Sequence, residues 1–137
     1  MAKKILVVDD NMDMVDLLKS ILEIEGYDVI EAFNGKEALD KSKQQKPDYI
    51  ILDIMMPVMD GWEACKKLKG CQKTLHIPIA ILTARINPED KKKAFQLGAE
   101  DYLTKPFDPD ELLQRIKETL IKKGDKGKGL FSLISLC

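Results

Sequence analysis

Apolar residues in this chain recur with two periods in turn. Lys3 to Val8 is a β-branched apolar run that ends in Asp9 and Asp10, and Asn11 to Glu25 then carries Val15, Leu18 and Leu22 at helical spacing before Gly26. A strand followed by a helix is expected. The alternation repeats: Tyr27 to Phe33 extended, Asn34 to Lys46 helical with Asn34 and Glu37 placed as a capping box, and Tyr49 to Asp53 extended. Gly61 to Lys69 is predicted helical, Ile77 to Thr83 extended, and Asn87 to Leu97 helical, with Asn87 as cap, Pro88 at the first position and Gly98 as terminator. Asp101 to Lys105 is a short strand. Asp108 to Lys122 repeats the device of a capping Asp, a Pro and a Glu, with Leu113, Ile116 and Leu120 as its apolar stripe.

Five strand-helix units in succession imply an α/β fold, a doubly wound parallel sheet with helices on both faces, because right-handed crossovers allow little else. The first, third and fourth strands are nearly all apolar, as central parallel strands should be. In such sheets, ligands bind beyond the carboxyl ends of the strands, where the strand order reverses. Asp9 and Asp10, Asp53, Thr83 and Lys105 stand at those ends.

Composition narrows the reading. A chain of 137 residues suffices for one core, and a formal net charge of −1 points to neither a nucleic-acid surface nor an anionic membrane. The three cysteines, Cys65, Cys71 and Cys137, lack metal-ligand spacing and follow no signal peptide, which argues for a reducing cytoplasm. No apolar run approaches the ~20 residues of a membrane span. Residues 1–123 are read as one domain. From Gly124 onward the chain is Gly and Lys rich before the short apolar run Leu130 to Cys137, read as a flexible tail: a linker, a truncated further domain or a non-native extension.

The strand-end residues carry the chemistry. Taken singly, Asp10 or Asn11 could cap a helix, Asp53 could end a strand, Thr83 is an ordinary strand residue, and Lys105 could be a solvated charge. Their joint occurrence on one sheet edge outweighs those readings. Carboxylates converging at roughly 5 Å repel by about 3 kcal/mol per pair at an effective dielectric near 20, which asks for a cation. Oxygen ligands without His or Cys suit Mg²⁺ or Mn²⁺. With such a metal, a carboxylate oxygen can attack phosphorus in line while an ammonium and a hydroxyl stabilise the equatorial oxygens, roles that fit Asp53, Lys105 and Thr83.

The motifs ILVVDDN, YIILDIMMPVMDG, IPIAILTA and GAEDYLTKPF, in that order and spacing over about residues 3 to 121, resemble the receiver domains of two-component response regulators, the CheY-like superfamily. The resemblance implies a flavodoxin-like fold with strand order 2-1-3-4-5. It implies Asp53 as phosphoacceptor for a sensor histidine kinase or phosphotransfer protein, and a signalling switch rather than an enzyme with a separate substrate. Asp10 and Asp53 would ligate Mg²⁺ directly, Asp9 largely through water, and the Met55 carbonyl would complete the protein ligands. Thr83 and Tyr102 would be the switch pair, and Lys105-Pro106 a cis peptide. Met55 and Arg85, at the variable positions two residues after Asp53 and Thr83, are unsuited to activate water, so a long phosphoryl lifetime is expected.

The same two residues resemble receivers joined to winged-helix DNA-binding domains, many of which dimerise through the fourth helix, fifth strand and fifth helix. By that resemblance, Lys91 would meet Glu111 of a second copy, Asp101 would meet Arg115, and Phe95 with Leu113 would form the apolar centre. Lys92 argues against it, as a like charge beside a two-fold axis. Other readings fare worse. A flavin-binding protein would want a Gly, Ser or Thr-rich phosphate loop where Asp9, Asp10 and Asn11 stand, and an aspartyl-phosphate phosphatase would carry a DxD pattern on the first strand. A receiver that no longer takes phosphate usually lacks the Asp, Thr or Lys, and all three are present here.

Overall fold

Each helix begins on an Asn or Asp whose side-chain oxygen accepts from the otherwise unpaired N–H groups of the first turn. Asn11 accepts from Asp13 and Met14, Asn34 from Glu37, Asp60 from Glu63, Asn87 from Glu89 and Asp108 from Asp110. Each such cap contributes about 1 kcal/mol. The computed structural model describes residues 2–56, 59–85 and 87–125. They form strands β1 (Lys4–Val8), β2 (Asp28–Ala32), β3 (Tyr49–Leu52), β4 (Ile79–Thr83) and β5 (Asp101–Thr104). Between and after them lie helices α1 (Met12–Ile24), α2 (Gly35–Gln45), α3 (Gly61–Lys69), α4 (Pro88–Gln96) and α5 (Pro109–Asp125). The apolar run at 130–137 lies outside the described residues.

All strands are parallel, in the order β2-β1-β3-β4-β5. The period of two then divides the core. Ile5, Val7, Ile51, Ala80 and Leu82 face α1 and α5, where they meet Val15, Leu18, Leu112 and Ile116. Leu6, Val8, Ile50, Leu52 and Ile81 face α2, α3 and α4, where they meet Ala38, Ala64, Leu68 and Ala94. The alanines let those three helices approach the sheet closely.

Several ends differ from the sequence pattern, and unpaired or redirected backbone groups explain them. β4 starts at Ile79 because Pro78 has no N–H and the Ile77 N–H closes a turn on Thr74 O at 3.0 Å. β2 loses Tyr27, whose N–H bonds Leu22 O, and Phe33, whose N–H bonds Glu37 Oε1 at 3.1 Å. The capping box at Asn34 is thereby closed one residue earlier than its usual form. α2 ends before Lys46, which takes a left-handed φ of 49° ahead of Pro47. α5 runs to Asp125, past the expected domain limit at 123.

One clamp holds the far end of the sheet. Lys69 Nζ donates to Leu75 O at 3.2 Å, to Ile77 O at 2.8 Å and to Glu100 Oε2 at 3.0 Å, and Glu100 Oε1 accepts from Ile79 N at 2.8 Å. The end of α3, the start of β4 and the start of β5 are thus tied through one mostly buried ammonium. Lys69→Met would strand its partners and should destabilise the fold by about 1–3 kcal/mol in urea melts. Lys67→Met, which loses only the exposed pair with Glu63, should stay within about 0.5 kcal/mol.

Candidate functional site

The sheet register brings the acidic residues together. Val8 pairs with Leu52, so Asp9 and Asp53 follow side by side on adjacent strands, with the Asp53 N–H on Val8 O at 3.0 Å. This is the crevice where the chain leaves β1 toward one edge and β3 toward the other, the switch point of such a sheet. One carboxylate oxygen each from Asp9, Asp10 and Asp53 lies within 4.8 Å of the others. Asp9 and Asp53 are buried at 2% and 7% exposure, and Asp10 is exposed.

Lys105 enters from β5, whose Thr104 pairs with Thr83, and the Lys105-Pro106 peptide is cis, as expected. Its Nζ lies 2.7 Å from Asp9 Oδ2 and 3.5 Å from Asp53 Oδ2. The other oxygens are held by backbone: Asp9 Oδ1 accepts from Asn11 N at 3.0 Å and Asp53 Oδ1 from Met55 N at 3.3 Å. Burial raises the Asp53 carboxyl above the ordinary range; Lys105 opposes that rise and Asp9 adds to it. One ammonium against three carboxylates leaves the site electronegative. The donor set is all oxygen, with Asp10 open to solvent, which fits a hard divalent cation.

α3 closes the site from above. Its first residue, Gly61, donates to Ile54 O at 2.8 Å, and a Cβ there would lie 2.3 Å from Asp53 O and 2.5 Å from Ile54 Cα. Only glycine permits this approach. Of the loop from Met56 to Gly61, Pro57 and Val58 lie outside the described residues. A cleft of 410 Å³ opens beside the carboxylates, lined by Asp10, Ile54, Met55, Met56, Asp60, Trp62 and Arg85.

Thr83 and Tyr102 meet at one residue. The Arg85 N–H donates to Thr83 Oγ1 at 3.3 Å, and the Tyr102 hydroxyl donates to Arg85 O at 2.9 Å. Thr83 is fully buried and Tyr102 is 8% exposed, so the ring lies inside the α4 side of the core. Burial raises the Tyr102 hydroxyl pKa, as does the charge of Asp90. The Arg85 side chain reaches Asp90 in the first turn of α4, with Nε 2.9 Å from Oδ2, an ion pair without a well-aimed hydrogen bond. Asp90 is buried and had no place in the sequence reading. An Arg and an Asp five residues apart across an Asn-Pro helix start was the available signal.

The residues expected at a two-fold interface can be located within the single chain. Lys91 and Glu111 are exposed, Phe95 is 43% exposed, and Leu113 is half-buried against the α5 side of the core. Arg115 Nη1, however, pairs with Asp101 Oδ1 within the chain. An interchain pairing of these two residues competes with an intrachain one. Cys65 is buried, and burial pushes its thiol up to about 11, so it is no nucleophile at neutral pH. No helix among the described residues is long and apolar enough to cross a membrane.

Residues 5–117 match the family model of the response regulator receiver domain. The chain belongs to that family. The receiver is 52% identical over 120 residues to the alkaline phosphatase synthesis transcriptional regulatory protein PhoP of Bacillus subtilis, an alignment covering 88% of this chain and 49% of PhoP. It therefore spans about half the length of that relative. Among solved structures, the receiver is similar to a CheY-like response regulator receiver domain protein of Methanospirillum hungatei, with a TM-score of 0.86 and 32% identity over 92% of this chain and 99% of that one. It is also similar to a putative response regulator of Chloroflexus aurantiacus, with a TM-score of 0.84 and 37% identity over 88% of this chain and 99% of that one.

Proposed function

We propose that this receiver accepts a phosphoryl group on Asp53 from the phosphohistidine of a sensor kinase or phosphotransfer protein. The observation that carries the reading is the convergence of the Asp9, Asp10 and Asp53 carboxylates within 4.8 Å, with the Lys105 ammonium beside two of them. In the transfer, an Asp53 carboxylate oxygen forms a bond to phosphorus as the histidine N–P bond breaks, and the electron pair leaves with the imidazole. Mg²⁺, with Mn²⁺ as substitute, would be held by Asp10, Asp53 and the Met55 carbonyl, and by Asp9 largely through water, and supplies the charge that offsets the carboxylates and the phosphoryl oxygens.

The chain's own groups do the rest. Lys105 is within reach of both Asp9 and Asp53 and turns its ammonium to a phosphoryl oxygen once that oxygen is in place. Phosphorylation brings about −1.5 to −2 charge and new acceptors, toward which the Thr83 hydroxyl reorients, releasing the Arg85 N–H. Tyr102 shares Arg85, so the change passes to the face made by α4, β5 and α5. With its side chain on Asp90, Arg85 is no base for water, in keeping with a long-lived acyl phosphate.

Incubation with acetyl phosphate should label the protein on Asp53 in Mg²⁺ and leave it unlabelled in chelator. Label elsewhere, or independent of metal, would remove the assignment. Lys105→Ala should slow labelling by about 10²-fold, since a preorganised charge on the transferring group is lost. Mg²⁺ affinity should hold or rise in that variant, because its ammonium competes with the metal for Asp9 and Asp53. Isothermal titration reads this directly.

A further inference from the structure

A second, larger cavity of 910 Å³ lies between α2, α3 and α4 and shares only Trp62 with the cleft beside the carboxylates. Its floor is apolar, made by Leu39, Trp62 and Leu97, and Lys43, Lys66 and Lys93 stand around it. The one acid lining it, Glu63, is taken by Lys67 at 3.4 Å. Lys93 Nζ sits 4.5 Å from the centre of the Trp62 ring, so a cation from α4 is already held over the aromatic floor on α3. Lysines in the last turns of α2, α3 and α4 also have an ordinary role, offsetting the negative ends of those helices. Each helix end carries only about half a charge, so three of them leave an excess of positive charge around the groove.

We propose that this groove docks an acidic amphipathic helix of a partner protein, with one or two bulky apolar side chains on Trp62, Leu39 and Leu97 and carboxylates on the flanking lysines. Charge selects this occupant. A second copy seated by two-fold symmetry on the same groove would set lysines against lysines. The chain's own residues 126–137 carry Lys126 and Lys128 and an apolar run, and Cys71 at the edge of the groove is disulfide-bonded, so deletion of those residues separates the tail from a partner. A bilayer surface is flat, whereas this floor is concave and of a volume that suits inserted side chains. An apolar stripe laid in a hydrophobic groove, with register set by charges at its edges, is a recurrent mode of helix recognition.

Trp62 is the sole tryptophan and lines both the groove and the cleft beside the carboxylates, so its emission is followed in metal-free, unphosphorylated protein. The full chain should be panned against a library of helix-constrained random peptides, and the enriched peptides titrated while Trp62 emission is followed. The expected peptides are net acidic with apolar residues at i and i+3 or i+4, and their binding shifts Trp62 emission saturably. Lys66→Glu combined with Lys93→Glu should weaken them about tenfold or more, with the circular dichroism and thermal midpoint of the fold retained. Enrichment of basic or uncharged peptides, no enrichment, or equal binding to the charge-reversed variant would overturn the proposal. So would a Trp62 shift produced by phosphatidylcholine vesicles containing phosphatidylglycerol in the absence of any peptide effect. A matching shift caused simply by deleting residues 126–137 would make the tail the occupant and defeat it equally.

Discussion

Asp53→Asn should reduce acetyl phosphate labelling to background while the protein stays folded and at least as stable as the parent. The amide keeps the shape of the carboxylate, and its oxygen can still accept from Met55 N. It lacks the anionic oxygen that attacks phosphorus. The stability half of the prediction follows from sign. Burial raises the Asp53 pKa above its ordinary 3.8, so the folded state binds this proton more tightly than the unfolded chain does. The stabilisation is full below 3.8 and is lost as pH rises through the folded value, leaving a desolvated charge at neutral pH. Lys105 retains Asp9 at 2.7 Å and so is not orphaned by the change. In metal-free buffer at pH 7 the variant should gain up to about 1 kcal/mol in urea melts, and the gain should shrink toward pH 4. Label retained at the parent level, or a loss of stability that grows with pH, would contradict this account.

Gly61→Ala is expected to damage fold and site together. Its new Cβ would stand 2.3 Å from Asp53 O and 2.5 Å from Ile54 Cα, both backbone atoms of the segment that carries the phosphoacceptor. Neither can rotate away, so α3 or the end of β3 must move. We expect a loss of about 3 kcal/mol, the upper range for overpacking, because the clash is with backbone and not with a flexible side chain. The displacement falls on Asp53 itself, and a shift near 1 Å costs about 10²-fold in rate where geometry governs the reaction. Gly70→Ala, whose Cβ would meet Lys66 O at 3.2 Å, is the control and should change labelling little. Equal behaviour of the two variants in melts and in labelling would remove the special role of Gly61.

Asp53 lay open in the sequence, for a local reason, whereas the close approach at Gly61 did not. Caps at Asn11, Asn34, Asn87 and Asp108 mark helix starts by chemistry that spans three residues, and fully apolar strands mark the sheet interior. In a parallel sheet the residue after each strand must fall on one edge, so the sequence alone groups Asp9, Asp53 and Lys105. What stayed hidden depends on topology or on single backbone groups. The Lys69–Glu100 clamp joins residues 31 apart, and no period in the chain announces it. Arg115 has Asp101 within reach because β5 lies under α5, whereas the family resemblance places Asp101 opposite the Arg115 of another copy. The start of β4 turned on the missing N–H of Pro78, which an apolar count passes over.

The link between Thr83 and Tyr102 runs through the main chain of Arg85, one bond to its N–H and one to its carbonyl. What the gene must preserve there is a chain length, not a side-chain identity. Substitution at 85 can alter the ion pair with Asp90 while both main-chain bonds persist. A one-residue insertion or deletion between Thr83 and Arg85 would carry the carbonyl away from the Tyr102 hydroxyl, whereas the Thr83 bond spans only two residues and re-forms on whichever N–H follows. In this segment drift in composition is tolerable and drift in spacing is not, so related receivers should vary at this position far more freely in residue type than in loop length.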